Sequence, residues 1–157
     1  MFGGLIKYPA MKIVIQRVKE SSVSISGKVV GRIGLGVCVL TGIEPTDTEK
    51  ELDWMASKLV NLRIFEDENK KMNLSLLDIR GEALIISQFT LLADCVKGRR
   101  PSFIGAGDPA VAEKLYLKFL DKVADFGVMV AHGVFGADMQ VYIHNDGPVT
   151  FVLESPK

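Results

Sequence analysis

The sequence has few of the features that would hold a protein in a membrane or along a nucleic-acid backbone. No apolar run reaches the roughly 20 residues of a spanning helix, and the longest, residues 33–43, is interrupted by Gly34, Gly36 and Gly42. Nineteen basic residues balance nineteen acidic ones, so there is no global basic field to attract RNA or DNA. We therefore expect no membrane partner, and an RNA partner would have to be bound by a local patch and by shape.

Cysteine is also scarce, and the two cysteines are poorly placed for structural chemistry. Cys38 and Cys95 have neither CxxC spacing nor a histidine nearby, which argues against a disulfide scaffold or a zinc site. Reduced thiols suit a cytosolic protein. We expect a cytoplasmic protein with no metal and no cofactor.

What remains is ordinary for one globular domain, with 157 residues, 48% of them hydrophobic and 24% charged,. Residues 1–10 precede a second methionine, Met11, which opens a cleaner strand. They carry one lysine and no long apolar stretch, unlike a secretory signal. We expect residues 1–10 to be an N-terminal extension, either a tag remnant or an upstream start, and residues 11–157 to be a single domain.

After Met11 the pattern is β-rich, with two helices inserted singly. Thr46-Asp47-Thr48-Glu49 predicts a capping box for the first helix, with Thr46 as the N-cap. Asp108-Pro109 predicts the start of the second helix, and Gly127 its end. About seven strands without strict βαβ alternation favour an α+β fold, a strongly curled, barrel-like antiparallel or mixed β-sheet with the two helices packed outside.

Two turns are predicted from glycine-containing pairs. Gly27-Lys28 suits a two-residue type II′ hairpin turn. The segment NDGPVT, residues 145–150, lies between two apolar runs and predicts another hairpin, since Asp-Gly tolerates positive φ. A hairpin does not need Pro148, which removes a ladder donor. This segment is therefore either a turn that contains a proline or part of a site.

Two other stretches are candidate sites. Ser87-Gln88-Phe89-Thr90 ends an apolar strand, where side chains and amides face an opening; the alternative is a polar strand end. Lys97, Arg99 and Arg100, with Phe103 beside them, could contact phosphates and stack on bases; the alternative is a solvated basic loop.

The two histidines, His132 and His144, have no partner at metal-site or triad spacing. A general base remains possible in principle, but a structural or surface role is the simpler interpretation. A Ser-His-Asp or Cys-His triad cannot be argued from this sequence.

Together these stretches resemble one family, the D-aminoacyl-tRNA deacylases, homodimeric editing enzymes also called D-tyrosyl-tRNA(Tyr) deacylases. Residues 11–18, MKIVIQRV, resemble the family's first strand, and residues 87–90 its SQxT motif. Residues 99–103 resemble its basic loop, and residues 145–150 its NxGP(V/F)T motif. Each motif alone is weak, but all four in this order within a chain of this length are specific.

The resemblance implies a composite site. In the family the Gly-Pro bond is cis and enters the active site of the other subunit, so Gly147-Pro148 would face a partner's SQxT segment. The resemblance also implies that Arg17 helps to hold the Gly-Pro carbonyls. If those carbonyls crowd the Cα atom of the aminoacyl group, an L side chain clashes, whereas a D side chain points to solvent. Glycine, which has no side chain, should pass this filter.

The implied reaction is hydrolysis of an aminoacyl ester on the terminal adenosine of tRNA. It needs a positioned water and donors for the oxyanion, for which we expect the amides of Phe89 and Thr90. Thr90 is either a nucleophile, for which the sequence offers no base beyond His144, or a positioning residue, with the adenosine 2′-hydroxyl assisting the water. Phe103 or Phe89 is expected to contact the adenine.

The expected site residues fall into three groups. They are Gln88, Phe89 and Thr90 as catalytic residues; Ser87, Gly147, Pro148, Arg17, Asn145 and Phe103 as substrate-binding residues; and Lys97, Arg99 and Arg100 as contacts to tRNA phosphates.

Two other functions stay open from the residues alone. One is a non-catalytic RNA- or DNA-binding module, against which the near-zero net charge argues mildly. The other is a Thr-dependent hydrolase of a different acyl ester, which would need Thr90 and would cleave small esters without tRNA.

Overall fold

The computed structural model describes residues 10–103 and 107–156. The predicted extension, residues 1–10, falls almost wholly outside this range, so its origin stays a prediction. The described elements, in chain order, are β1 (Lys12–Ile25), β2 (Lys28–Ile33), β3 (Gly36–Gly42), α1 (Glu49–Asn61), β4 (Phe65–Glu66), β5 (Met72–Leu74), β6 (Glu82–Ser87), a 3₁₀ helix (Phe89–Leu92), α2 (Pro109–Ala124), β7 (Val130–His132) and β8 (Gln140–Glu154).

Six of the strands form one mixed sheet in the order β2-β1-β3-β6-β7, with β8 paired to β1. The pairs β3–β6 and β6–β7 are parallel, and the others are antiparallel. The sheet curls until β2 approaches β7, since a Cβ atom on Gly31 would lie 2.7 Å from the carbonyl oxygen of His132. The nearly closed mixed sheet with two helices confirms the predicted α+β class.

The long strand β1 organises this sheet. Its first half pairs with β3 and its second half with β2, while β8 runs along its other side for almost the whole length. This arrangement places residues from the two ends of the chain next to each other. Among the described residues, no helix is both long and apolar enough to cross a membrane.

Apolar residues of the sheet alternate between two cores. Ala83 and Ile85 of β6 pack with residues of α1 and α2, whereas Leu84 and Ile86 pack inside the curl with side chains from the other strands. A strand buried on both faces must be apolar at every position, which explains the run ALII. The helices cover only one face of the sheet.

The predicted capping box is wrong by two residues. Thr48, not Thr46, is the N-cap of α1, and Glu51, not Glu49, is the N3 residue that reaches back to the backbone of Thr48. Both readings satisfy the Thr-x-x-Glu spacing, and buried Asp47 decides between them. Its carboxylate accepts from the amides of Met11 and Glu44, so Asp47 belongs to the preceding loop. The predicted start of α2 is confirmed, with Asp108 as the N-cap.

Both predicted turns are corrected. The β1–β2 hairpin turns at Ser26-Gly27, where φ is 50° and 78°, as in a type I′ turn rather than type II′. Residues 145–150 form no hairpin, because β8 continues through them and both of its halves pair with β1.

Candidate active site

The Gly-Pro segment is a large bulge in β8. Gln16 pairs with Thr150 and Val18 with Asn145, so residues 146–149 of β8 stand opposite Arg17 alone. The Gly147–Pro148 bond is cis, and both residues are exposed. The bulge therefore presents backbone to the outside of the subunit at a fixed place in the sheet.

Asn145 closes the neck of this bulge. Its Oδ1 accepts from the amide of Val149 at 2.8 Å, and its Nδ2 donates to Thr150 Oγ1 at 2.9 Å. Val149 is buried beneath the bulge. These contacts tie the two ends of the segment together, which explains why an asparagine is suitable at position 145.

Arg17 fills the space beneath the bulge and is 5% exposed. Its Nε donates to the carbonyl of Asp146 at 3.1 Å, and its Nη1 donates to the carbonyl of Ile64 at 2.9 Å. The resemblance implies contacts between Arg17 and the carbonyls of Gly147 and Pro148. In this chain the bulge carbonyl that Arg17 binds is instead that of Asp146, the residue before Gly147. Its Nη2 also lies 3.1 Å from the position that a Cβ atom would take on Gly147.

The segment Ser87–Thr90 lies at the end of β6 and the start of the 3₁₀ helix. The amide of Gln88 donates to the carbonyl of Thr41 on neighbouring β3 at 2.7 Å, which holds the chain against the sheet until the 3₁₀ helix begins at Phe89. Among the hydrogen bonds of the described residues, none uses the amide N–H of Phe89 or Thr90. Unpaired amides are expected in the first turn of a helix, and here they can serve an oxyanion.

Thr90 lacks the surroundings of a nucleophile. Its hydroxyl accepts from the side-chain amide of Gln88, which is a donor and cannot remove a proton,. Neither histidine contacts it, because His132 Nδ1 is paired with the carbonyl of Gly133 and His144 is exposed on β8. Within the described part of the chain, no base is placed to activate Thr90.

The basic loop lies beside this segment. The rings of Phe89 and Phe103 are 5.1 Å apart, and Asp94 and Ser102 pair across the base of the loop. Lys97, Arg99 and Arg100 are exposed at its tip, with no ion pair among the described residues. An aromatic pair next to free cations offers stacking and phosphate contacts.

The predicted residues thus form two separate groups in one subunit. The SQFT group comprises Ser87–Thr90, Phe103 and the basic loop; the Gly-Pro group comprises Arg17, Asn145, Gly147 and Pro148. No hydrogen bond or ion pair between described residues joins the two. The described residues also include no cluster of three or more histidine, cysteine or acidic side chains suited to a metal ion.

Sequence reasoning missed residues that support the Gly-Pro group. Glu66 Oε1 lies 3.9 Å from Arg17 Nη2, and Asp146 Oδ2 lies 3.6 Å from Arg17 Nε. Glu66 and Ile64 are distant from Arg17 in sequence and carry no motif, so only the fold shows these contacts. Asp146 lies inside the NDGPVT segment, where Asp-Gly was interpreted as turn chemistry.

Comparison with known proteins identifies the family. The profile of the family described as D-Tyr-tRNA(Tyr) deacylase matches residues 14–154. The chain belongs to this family. The resemblance inferred from the four motifs is therefore confirmed, and the protein is a hydrolase of the deacylase type.

Relatives and solved structures cover nearly the whole chain. A D-aminoacyl-tRNA deacylase of Geotalea uraniireducens is 56% identical over 147 residues, 94% of this chain and 95% of that protein. One of Sulfurihydrogenibium sp. is 59% identical over 145 residues, 92% of this chain and 98% of that protein.

Two solved structures share the fold. One, titled c-Myc DNA Unwinding Element Binding Protein, is 45% identical with a TM-score of 0.87, and the match covers 93% of this chain and 99% of that chain. The other, titled as a probable eukaryotic D-amino acid tRNA deacylase, has a TM-score of 0.80 and covers 92% of this chain and 99% of that one. Because its identity is 22%, it shows the fold alone.

Proposed function

We propose that the protein hydrolyses the ester bond of D-aminoacyl-tRNA as a homodimer, and that Gly147-Pro148 of each subunit rejects L-aminoacyl groups in the pocket of the other. The observation that carries this proposal is the Gly-Pro bulge. Its backbone is exposed, yet Arg17 and Asn145 hold it from within the same subunit. Since no hydrogen bond or ion pair between described residues joins this held backbone to the SQFT group of its own subunit, it is suited to act on a second subunit.

A partly exposed apolar row, in which Val14 and Leu40 are half-buried and Val152 is exposed, supports the dimer. Ile13 and Ile15 face the helices, so Val14 between them faces the uncovered side of the sheet. Its neighbours across the strands are Leu40 on β3 and Val152 on β8, and Val152 is 61% exposed.

The row also lies close to the bulge. It continues to the polar pair Gln16 and Thr150, directly beside the Gly-Pro segment. A second copy of the chain that covers this row would cover the bulge as well.

The proposed reaction depends mainly on backbone amides and needs few catalytic side chains. A water attacks the ester carbonyl, and the amides of Phe89 and Thr90 donate to the oxyanion that forms. Gln88 orients Thr90 through its side-chain amide, and Thr90 positions the substrate. Because no base among the described residues is placed at Thr90, the adenosine 2′-hydroxyl is the group that assists the water under this proposal.

Selectivity arises from backbone oxygens rather than from a side-chain pocket. The carbonyls of Gly147 and Pro148 occupy the space that an L side chain would need, while a D side chain points to solvent. A steric clash can discriminate L-aminoacyl from D-aminoacyl groups only if the backbone that causes it is rigid. Glycine has no side chain that could clash with these carbonyls, so glycyl-tRNA is a second substrate under this proposal.

The tRNA is bound mainly by the SQFT group. Ser87 lines the pocket, Phe103 or Phe89 stacks on the terminal adenine, and Lys97, Arg99 and Arg100 contact acceptor-stem phosphates. Such a role in proofreading translation fits a cytoplasmic enzyme.

The test is ester loss from matched D-tyrosyl-tRNA and L-tyrosyl-tRNA mixed with the purified protein. Rapid loss of the D ester alone is the expected result. Equal loss of both would leave an esterase and contradict the filter. No loss of either, from a folded dimer, would contradict the hydrolase.

One observation favours a second candidate, because a 45% identical structure is titled as a DNA-unwinding-element binding protein. If this chain shared that property, it would bind DNA in a salt-dependent way in addition to hydrolysing esters. A hydrolase of other acyl esters would instead cleave small esters without tRNA and would depend on Thr90. The tyrosyl-tRNA assay, run beside a small ester and a DNA-binding titration, separates the three.

A further inference from the structure

The contacts of Arg17 point to two residues that set the stringency of the filter. We propose that the carboxylates of Glu66 and Asp146 are positioning residues, which keep the Arg17 guanidinium under Gly147 and so determine how strongly L substrates are rejected. This assignment rests on the proposed function and goes beyond it, since neither carboxylate would touch the substrate.

Arg17 is a buried cation whose compensation is incomplete without these two groups. Its two hydrogen bonds go to the carbonyls of Ile64 and Asp146, which orient the guanidinium but do not neutralise it. The carboxylates of Asp146, at 3.6 Å, and Glu66, at 3.9 Å, are the anions paired with it among the described residues. A buried charge needs such partners to remain in place.

The geometry links Glu66 to the filter through one atom. Arg17 Nη2 is the nitrogen paired with Glu66, and the same Nη2 lies 3.1 Å from the position that a Cβ atom would take on Gly147. Without the electrostatic attraction of the Glu66 carboxylate, Arg17 Nη2, which lies beside Gly147, is less restrained. Asp146 acts at the other end of the guanidinium, through Nε, and belongs to the bulge itself.

The small sheet β4–β5 and the buried residues before Glu66 fix the position of the Glu66 backbone. Ile64 and Phe65 are each 5% exposed and pack in the helix-side core. Glu66 follows them and points outward at the edge of this core. Ile64, which directly precedes β4, supplies the carbonyl and Glu66 of β4 supplies the carboxylate that contact Arg17, which gives this short element a function.

The test compares Glu66→Gln, Asp146→Asn and the double variant with the unaltered protein. Each change keeps the side-chain shape and removes the charge. The measured quantity is the ratio of kcat/KM for L-tyrosyl-tRNA to that for D-tyrosyl-tRNA. Because both carboxylates are partly exposed, we expect each single change to raise the ratio roughly two- to fivefold, and the double variant to raise it further.

Glu68→Gln is the matched control, because Glu68 is exposed in the same β4–β5 segment and has no contact with Arg17. It should leave the ratio unchanged. A ratio that stays constant in all variants would overturn the proposal, as would a parallel loss of both activities, which a merely structural role predicts. Unaltered protein that does not discriminate would overturn the filter itself before any variant is compared.

Discussion

Gly147 combines a φ of 131° with close packing, so the position has no room for a side chain. In Gly147→Ala the new Cβ would lie 2.7 Å from Val149 Cγ2 and 3.1 Å from Arg17 Nη2. Relieving these contacts must displace the bulge. Because Gly147 and Pro148 are also substrate-binding residues under this proposal, we expect kcat/KM for D-tyrosyl-tRNA to fall at least about tenfold, with about 1–3 kcal/mol of stability lost.

Gly127→Ala controls for the backbone cost of this change. Gly127 also has positive φ, 89°, but a Cβ atom there would meet nothing within 4 Å. This variant should lose stability by a similar mechanism and keep its activity. A fully active Gly147→Ala protein would contradict the role given to the bulge.

Thr90 is the residue at which nucleophilic and positioning roles make opposite predictions. Since its hydroxyl accepts from Gln88 and no base among the described residues is placed beside it, we expect Thr90→Ala to keep most of its kcat, with a modest rise in KM. Single-turnover assays measure this, with Thr90→Ser as the control that retains the hydroxyl. Complete loss of kcat in Thr90→Ala with tRNA binding intact would show that Thr90 is a nucleophile.

The two thiols differ in reactivity for physical reasons. Burial raises the pKa of Cys38 to about 11, although a hydrogen bond with Ser21 opposes part of this rise, whereas Cys95 is exposed beside the basic loop. At pH 8 the Cys38 thiol is therefore protonated as well as shielded, and only thiolates react. We expect rapid labelling of one thiol per native chain and of two after denaturation; fast labelling of both in the native protein would contradict the buried position of Cys38.

At the scale of elements, the start of α1 shows what local sequence can and cannot decide. Both Thr46 and Thr48 have a glutamate three residues later, so the sequence contains two possible capping boxes. The buried Asp47 loop selects the second. The position of the N-cap therefore depends on the contact between Asp47 and Met11, which is far away in sequence. Local helix-capping patterns carry no information about that contact.

Replacing the observed cap tests this assignment. Thr48→Ala removes the side-chain acceptor for the Lys50 amide and the contact with Glu51, so it should lower the free energy of unfolding by about 1 kcal/mol. Urea unfolding measures the change, and Thr48→Ser should retain most of the stability. If Thr46→Ala proved more costly than Thr48→Ala, the cap would be at the first threonine.

The bulge in β8 is the element that sequence physics predicted least well. Asp-Gly between two apolar runs is a strong hairpin signal, and it failed because both runs pair with the same strand, β1. Arg17 and Asp146 are 129 positions apart, so no local pattern could show that an arginine fills the bulge. The strands of the main sheet, its curl and the start of α2, by contrast, follow from periodicity and helix-capping residues, whereas the short strands β4 and β5 were not predicted.

At the scale of the whole molecule, the family motifs indicated the right residues but not their grouping. The fold separates the SQFT group from the Gly-Pro group within one subunit and leaves the apolar row of Val14, Leu40 and Val152 uncovered by helices. Both features have one explanation if two subunits pack through this face. Residue patterns alone could not show which face of the sheet the helices leave open.

Subunit complementation tests this central claim most directly. Gly147→Ala displaces the bulge, whose Gly147 and Pro148 also bind the aminoacyl group in the partner's pocket under this proposal, but it leaves its own SQFT group intact. Phe89→Pro removes one oxyanion donor at the first position of the 3₁₀ helix, and the first position of a helix generally tolerates proline; Phe89→Ala controls for the loss of the ring. Each variant alone should be nearly inactive on D-tyrosyl-tRNA.

In a mixed dimer, the intact SQFT group of one subunit meets the intact Gly-Pro group of the other. After exchange of equal amounts of subunits, half of the dimers are mixed and one of their two sites is whole, so we expect about a quarter of the unaltered activity to return. Activity that stays at the sum of the two separate variants, in dimers shown to be mixed, would contradict a site shared between subunits.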